Sequence, residues 1–371
     1  MTIVVNGVAA RLGGGARHFW PFIGGLANAL PDATLRVHTG LLDRPGSLPS
    51  SVEVVARSVP MGMSAKRMWW DQVEVPRAVK GSDVLISPLN FGPLKVRTPQ
   101  LLFSRNPTYF DRTFTATLAR KPKTKLAAYR RMAAACIDAA DLVVVPSHAM
   151  RNMVAPHVRD LDHVKVIPHG FDATEAIAGA TGDVLATAAA WLRHEVRLVH
   201  ISNPAPHKNL MALARMLAEM RRRGHDAGLA VSFEATYPDP SVPSFLREVE
   251  RLRLGDAVHL LGTVPQRAVF PLYRAANVFL YPSITESFGF PLLEALAVGA
   301  QIVASDIPSN RETAGSHARF HDPFDVSGAA DCIEAALREP LDADAGLVHA
   351  EAFNWVRYAR QVADLVEQLA G

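Results

Sequence analysis

Two glutamates, Glu286 and Glu294, stand eight positions apart in the run ESFGFPLLE, with an aromatic and glycine turn between them and Pro291 where a helix would begin. Carboxylates so placed can hold hydroxyls or support positive charge developing at a reacting carbon. Pro at the first helical position gives up an amide that would be orphaned anyway, which predicts outward-facing amides at Leu292 and Leu293 and an affinity for phosphate. The run is expected to hold a nucleotide-linked ligand, with Glu286 at the reacting end and Glu294 a helix turn deeper. A plain strand-turn-helix junction with two solvated acids would read the same in this stretch alone.

Other chemistry-bearing residues point less sharply. His169, His200 and His207 have no helical metal-ligand spacing, so they are expected to be satisfied or exposed side chains, and neither metal nor cofactor is expected. Met68, Trp69 and Trp70 are expected to pack in a core rather than form an acceptor platform. The segment RKPKTKLAAYRR places Arg120, Lys121, Lys123, Lys125, Arg130 and Arg131 together without an acid. It reads equally as a solvated face or as a surface for an anionic membrane or lipid-diphosphate acceptor.

The elements that must position these residues follow from length and apolar patterning. A chain of 371 residues suits two domains. Its 49% hydrophobic and 20% charged residues suit a globular fold, and a net charge of +3 gives no case for nucleic acid. No apolar run is long enough for a membrane span, the start MTIVVNGVAARLGGG lacks a leader pattern, and Cys136 and Cys332 sit among alanines, so a cytoplasmic protein with unbridged thiols is expected.

Short apolar runs at 2–6, 34–39, 52–57, 83–87, 100–104, 141–145 and 164–168 alternate with helical or loop segments, and a second series begins at 196–202. The expected class is α/β, two Rossmann-like doubly wound domains facing a cleft. The expected boundaries are 1–170, 171–350 and a C-terminal helix over 351–371 that packs back towards the N-terminal domain. Glycines 13–15, including Gly14 and Gly15, would let backbone approach a ligand at the first helix, or serve only as a flexible turn. The matching runs AADLVVVPS (139–147) and AANVFLYPS (275–283) suggest twin halves.

The second half resembles the retaining, nucleotide-sugar-dependent glycosyltransferases of GT-B fold, family 4. The resemblance rests on IPHGFD (167–172), PHKNL (206–210), YPSITESFGFPLLEALAVGAQIVASD (281–306), NRETAG (310–315) and DP (322–323), in that order. It implies metal-independent transfer from a nucleotide diphosphate sugar, such as GDP-mannose or a related hexose or deoxyhexose donor, to a glycan or lipid-linked acceptor in cell-surface polysaccharide or glycolipid synthesis. Lys208 would neutralise the leaving diphosphate, Glu294 would hold the ribose, and Ser287, Phe288, Gly289, Phe290, Leu292 and Leu293 would meet phosphate or sugar through their amides. Glu286 would face the donor sugar.

Two departures from the family pattern stand out. Ser202 and Asn203 occupy the loop where members commonly carry Gly-Arg, so a second diphosphate cation is replaced by neutral hydrogen bonds or by a residue such as Arg105. Asn106, in SRNPTYF, takes the place of a His near the donor sugar and is assigned a polar catalytic role, although Asn before Pro is also an ordinary turn. The alternatives are a catalytically degenerate nucleotide-sugar-binding subunit and an epimerase or phosphorylase of the same fold.

Overall fold

The computed structural model describes residues 1–10, 18–40, 48–60, 64–174 and 183–371; Gly14 and Gly15 lie outside them. The chain divides into two compact units, Met1–Gly170 with Phe353–Gly371, and Phe171–Ala352.

The first unit is built on a parallel seven-stranded sheet of β1 (Thr2–Gly7), β2 (Thr34–Thr39), β3 (Val52–Ala56), β4 (Val84–Ser87), β5 (Gln100–Phe103), β6 (Leu142–Val145) and β7 (Val164–Val166), in the order β3-β2-β1-β4-β5-β6-β7. The second carries a parallel six-stranded sheet of β8 (Val196–His200), β9 (Ala227–Val231), β10 (Val258–Leu260), β11 (Val278–Tyr281), β12 (Ile302–Ser305) and β13 (Arg319–His321), in the order β10-β9-β8-β11-β12-β13. Strands β4, β5, β6, β11 and β12 are buried at every position. That is why they read as nearly continuous apolar runs, with polar residues only at their ends, as Ser87, Gln100 and Ser305 are.

In each sheet the order reverses once, between β1 and β4 and between β8 and β11. Loops leaving the carboxyl ends of these strands diverge and open a crevice. The sequence echo does not mark this equivalence. β11 neighbours the first strand of its sheet, whereas β6 lies two strands beyond β4. The topological partner of β11 is β4, and both are followed by proline, Pro88 and Pro282. The echo reflects a shared grammar of helix end, buried strand and turn.

Within the expected 351–371 span the helix runs Trp355–Ala370, and a separate helix, Ala343–Glu351, precedes it. The Asn354 side chain accepts from the Arg357 amide and starts the helix Trp355–Ala370 afresh. Tyr358, Val362 and Val366 of that helix join Phe22, Ile23 and Leu26 of the helix Phe19–Ala29 in one core. A Cβ on Gly25 would stand 3.1 Å from that of Ala359, so the two helices approach where glycine leaves room.

Met68 and Trp69 are exposed at 38% and 57%, against the core placement the sequence suggests. Arg67 and Asp71, four residues apart on one helical face, turn inward and form a buried ion pair at 2.6 Å. Residues 68 and 69 are thereby rotated outward. Trp70 is half-buried, its indole N–H donating to Asn6 Oδ1 at 2.9 Å.

Candidate functional site

The second unit concentrates its buried charge at its reversal point. From β8 the chain runs through a loop to a single 3-10 turn, Pro206–Lys208, and Asn209 then takes a left-handed conformation (φ 55°) to enter the helix Leu210–Arg222. Asn209 Nδ2 donates to the carbonyls of Pro282 (3.2 Å) and Pro323 (2.9 Å), and the Ile284 amide donates to the His207 carbonyl at 2.8 Å. These bonds tie the loop after β8 to the loop after β11, and so bring Lys208 against Glu286.

Lys208 Nζ donates to Glu286 Oε1 at 2.5 Å, with 13% and 11% of the two side chains exposed. The ammonium also lies 5.1 Å from the centre of the Tyr281 ring and 3.4 Å from its hydroxyl. Burial works to raise the Glu286 pKa, but Lys208 and His207 outweigh it and hold the carboxyl below its usual value. Burial, then the negative charge of Glu286, pushes the Tyr281 phenol well above 10, so it stays neutral. The result is a fixed cation and anion on a neutral aromatic wall.

His200 is fully buried and its pKa is pushed down to about 4 by burial. Its Nδ1 faces the Leu280 carbonyl at 2.9 Å and its Nε2 faces Ser202 Oγ at 2.7 Å. A carbonyl can only accept, so the neutral ring carries its proton on Nδ1 and Ser202 donates to Nε2. The Ser202 amide donates to Ser232 Oγ at 3.0 Å. Both Ser202 donors are thus engaged within the protein. Asn203 is exposed.

Gly289 has φ 102°, a conformation that strains any side-chain-bearing residue, and a Cβ there would stand 3.0 Å from Leu292 Cδ1. Thr313 Oγ1 donates to the Phe288 carbonyl (2.5 Å) and Asn310 Nδ2 to the Ser305 carbonyl (3.0 Å), so the NRETAG motif braces the turn from beneath. The helix begins at Phe290, which moves Pro291 to its second position. It is seven residues long, and the Leu292 amide donates to the Gly289 carbonyl at 2.9 Å rather than facing outward. Phe288, Leu292 and Leu293 are buried, Ser287 and Phe290 partly so. Glu294, 2% exposed, accepts from Tyr273 Oη at 3.3 Å and from Gln266 Nε2 at 3.5 Å.

Two residues assigned to the site from the first unit have other occupations. Asn106 Oδ1 accepts from the Thr108 amide (3.1 Å) and hydroxyl (2.7 Å), capping the turn Pro107–Tyr109. Its carbonyl oxygen is thus occupied as a turn cap. Arg105 faces His169 Nδ1 and Tyr358 Oη, each at 3.2 Å. His169 is buried, and burial, then Arg105 and His18, pushes its pKa well down. Among the described residues no group of three or more His, Cys, Asp or Glu could hold a metal.

Residues 195–339 match the family model described as glycosyl transferases group 1, and residues 13–175 match that of glycosyltransferase family 4. The chain belongs to the family 4 glycosyltransferases of GT-B fold. Among this family's curated members it is 36% identical over 115 residues to the O-antigen chain mannosyltransferase B of Escherichia coli, covering 29% of each chain. It is 28% identical over 248 residues to the D-inositol 3-phosphate glycosyltransferase of Corynebacterium kroppenstedtii, covering 62% of this chain and 54% of that one. The alignments thus span about a third and about half of these relatives. The sucrose-phosphate synthase of Thermosynechococcus elongatus superposes with a TM-score of 0.78 at 17% identity, over 99% of this chain and 98% of that one. Anabaena HepE in complex with UDP-glucose superposes with a TM-score of 0.70 at 17% identity, over 99% of both. At these identities the likeness is one of fold.

Proposed function

We propose that this family 4 chain transfers a sugar from a nucleotide diphosphate donor to a glycan or lipid-linked acceptor, with retention of configuration and with Lys208 in place of a metal. The observation that carries the proposal is the Lys208–Glu286 pair at the reversal point of the second sheet. A cation already held in a water-poor site needs little reorganisation when negative charge develops on a departing diphosphate. Glu286 then faces the donor sugar and supports the oxocarbenium-like carbon. Glu294, from within the helix, accepts hydrogen bonds from the ribose hydroxyls. The bond from the anomeric carbon to the phosphate oxygen breaks, a bond to the acceptor oxygen forms on the same face, and the acceptor proton passes to the departing diphosphate.

The mannosyltransferase relative and the UDP-glucose bound by HepE support a hexose donor, GDP-mannose or a uridine counterpart. The basic helix Arg120–Ala139 supports an anionic acceptor or membrane surface. Arg120, Lys121, Lys125 and Arg131 are exposed and Lys123 and Arg130 half-buried, and none of the six has a carboxylate partner within 4 Å among the described residues. The chain is read as working at the cytoplasmic face of a membrane without crossing it; no helix among the described residues is long and apolar enough to span.

Incubation with UDP- and GDP-hexoses and a lipid extract, followed by nucleotide release, tests the reading. Release that needs acceptor supports transfer. Release without acceptor, dependence on inorganic phosphate, or binding with no release would favour an epimerase, a phosphorylase or a binding subunit in turn.

A further inference from the structure

The reversal point of the first sheet holds a cavity of about 230 Å³, lined by residues from the loops after β1 (Ala9), β4 (Leu89, Phe91) and β5 (Tyr109), and from the helix Arg120–Ala139 (Tyr129, Met132). Its walls are aromatic and thioether. The Tyr109 and Tyr129 rings stack with centroids 5.5 Å apart at 5°, and Phe91 lies 5.8 Å from Tyr109.

Several polar groups at the cavity are turned to protein partners, with Asn90 Nδ2 and the terminal Arg67 nitrogens as exceptions among the described residues. Arg67 and Asp71 bind each other, and Asp71 also accepts from Asn6 at 3.0 Å. Gln72 donates to the Gly92 carbonyl at 3.0 Å and accepts from the Leu94 amide at 2.9 Å. Asn90 Oδ1 accepts from the amides of Arg105 (2.7 Å) and Asn106 (2.8 Å), and Cys136 Sγ donates to the Gly92 carbonyl at 3.4 Å. A sugar ring entering this space would strip water from its hydroxyls and find few groups free to replace it. A hydrocarbon loses nothing on entry. Apolar cavities of roughly 150 Å³ take benzene, so this one has room for a chain of about six carbons.

The same helix supplies charge at the edge. Tyr129, Met132 and Cys136 face the cavity, while Lys125 Nζ stands 5.9 Å from the Tyr129 ring centre. Lys121 and Lys123 precede it, and the helix carries no acid before Asp138. Apolar volume and cation thus lie one helical turn apart on one element.

We infer that this cavity receives the hydrocarbon of an anionic lipid-linked acceptor, with its phosphate at the Lys125 edge. The inference rests on the transferase reading for the word acceptor, but its binding chemistry stands on the first unit alone. Each methylene leaving water tightens binding by about fourfold, so n-hexyl phosphate, with five methylenes more, should bind on the order of 1000-fold more tightly than methyl phosphate.

The test uses the full chain labelled with 13C-methyl methionine, since Met68 and Met132 both line the cavity and Met132→Leu assigns the second resonance. Titration with n-hexyl phosphate should shift both methyls, methyl phosphate at equal concentration should not, and Lys125→Ala should weaken n-hexyl phosphate several-fold without affecting n-hexanol. Ala9→Leu, at a half-buried lining position, should abolish the shift while the thermal melt and the nucleotide affinity of the second unit persist. Equal shifts with both phosphates, or none with the hexyl ester at millimolar concentration while nucleotide-sugar turnover is intact, would overturn the inference and leave the transferase reading standing. Hexyl binding in a chain that turns over no nucleotide sugar would support the cavity assignment and count against the transferase reading.

Discussion

The two reversal points are built on the same topology and filled with opposite chemistry. Between β8 and β11 a cation and a carboxylate meet on an aromatic wall, and Lys208 and His207 hold Glu286 ionised against the cost of burial. Between β1 and β4 the Arg67–Asp71 pair is also buried, yet burial wins and the Asp71 carboxyl is raised above its usual value despite Arg67. Ion pairs of similar length can therefore do different work. One keeps charge available at a crevice, while the other helps wall an apolar cavity. The difference teaches that fold sets where a ligand crevice lies, and the side chains arriving there set what it can hold.

The largest effect that sharpens this contrast should come from breaking the charged pair. Lys208→Ala leaves a buried carboxylate uncompensated and should cost about 3–5 kcal/mol in a urea melt. The double variant Lys208→Met with Glu286→Gln should recover most of it, because neither charge remains. A Lys208→Ala protein as stable as wild type would mean that Glu286 is solvated and the contrast false. For the other pair, Arg67→Met with Asp71→Leu should be neutral or stabilising within about 1–2 kcal/mol and should leave nucleotide binding unchanged. Lost nucleotide affinity there would break the division of labour between the units.

Gly289→Ala should cost roughly 1–3 kcal/mol through its φ of 102°, with weakened nucleotide binding as its second readout. Asn354→Ala removes the cap that restarts the last helix and should cost about 1 kcal/mol without altering nucleotide affinity.

Acid should separate the two carboxylates by sign. Glu286 has a folded pKa below its unfolded value, so its stabilising contribution is present above about 4.5 and is lost as pH falls through the lowered value. Asp71 has a raised folded pKa, so its contribution moves the other way: the strain of its buried charge is relieved as pH falls through that raised value. Carboxyl 13C titration should show Asp71 protonating above the usual aspartate range and Glu286 below the usual glutamate range. A shift of either group in the opposite direction would contradict the assignment of which environment favours charge.

Much of the fold is legible in the sequence because parallel strands buried on both faces must be largely apolar, as VLIS and VFLY show. The ESFGFPLLE turn is legible through its glycine and its two acids. What the sequence does not reveal is contact over long separations: Lys208 reaches Glu286 across 78 positions, and Asn209 reaches Pro323 across 114. It also conceals which donors are already engaged. The Ser202 hydroxyl donates to His200, and the Asn106 carbonyl oxygen accepts from Thr108, neither of which the sequence shows. The Arg67–Asp71 spacing was a usable signal for an inward polar face. Reading KRMWWDQ by its tryptophans instead points Met68 and Trp69 the wrong way.

The most direct test of the central claim is calorimetric titration of the full chain with UDP, GDP, UDP-glucose and GDP-mannose, alongside the double variant Lys208→Met with Glu286→Gln. The account predicts that at least one nucleotide diphosphate binds the wild-type chain and that its affinity falls by about 100-fold or more in a variant that still melts cooperatively, the loss expected when a charge-assisted contact to phosphate is removed from a partly buried site. Equal affinity in the two proteins, or no binding of any of the four ligands to the wild-type chain, would contradict it.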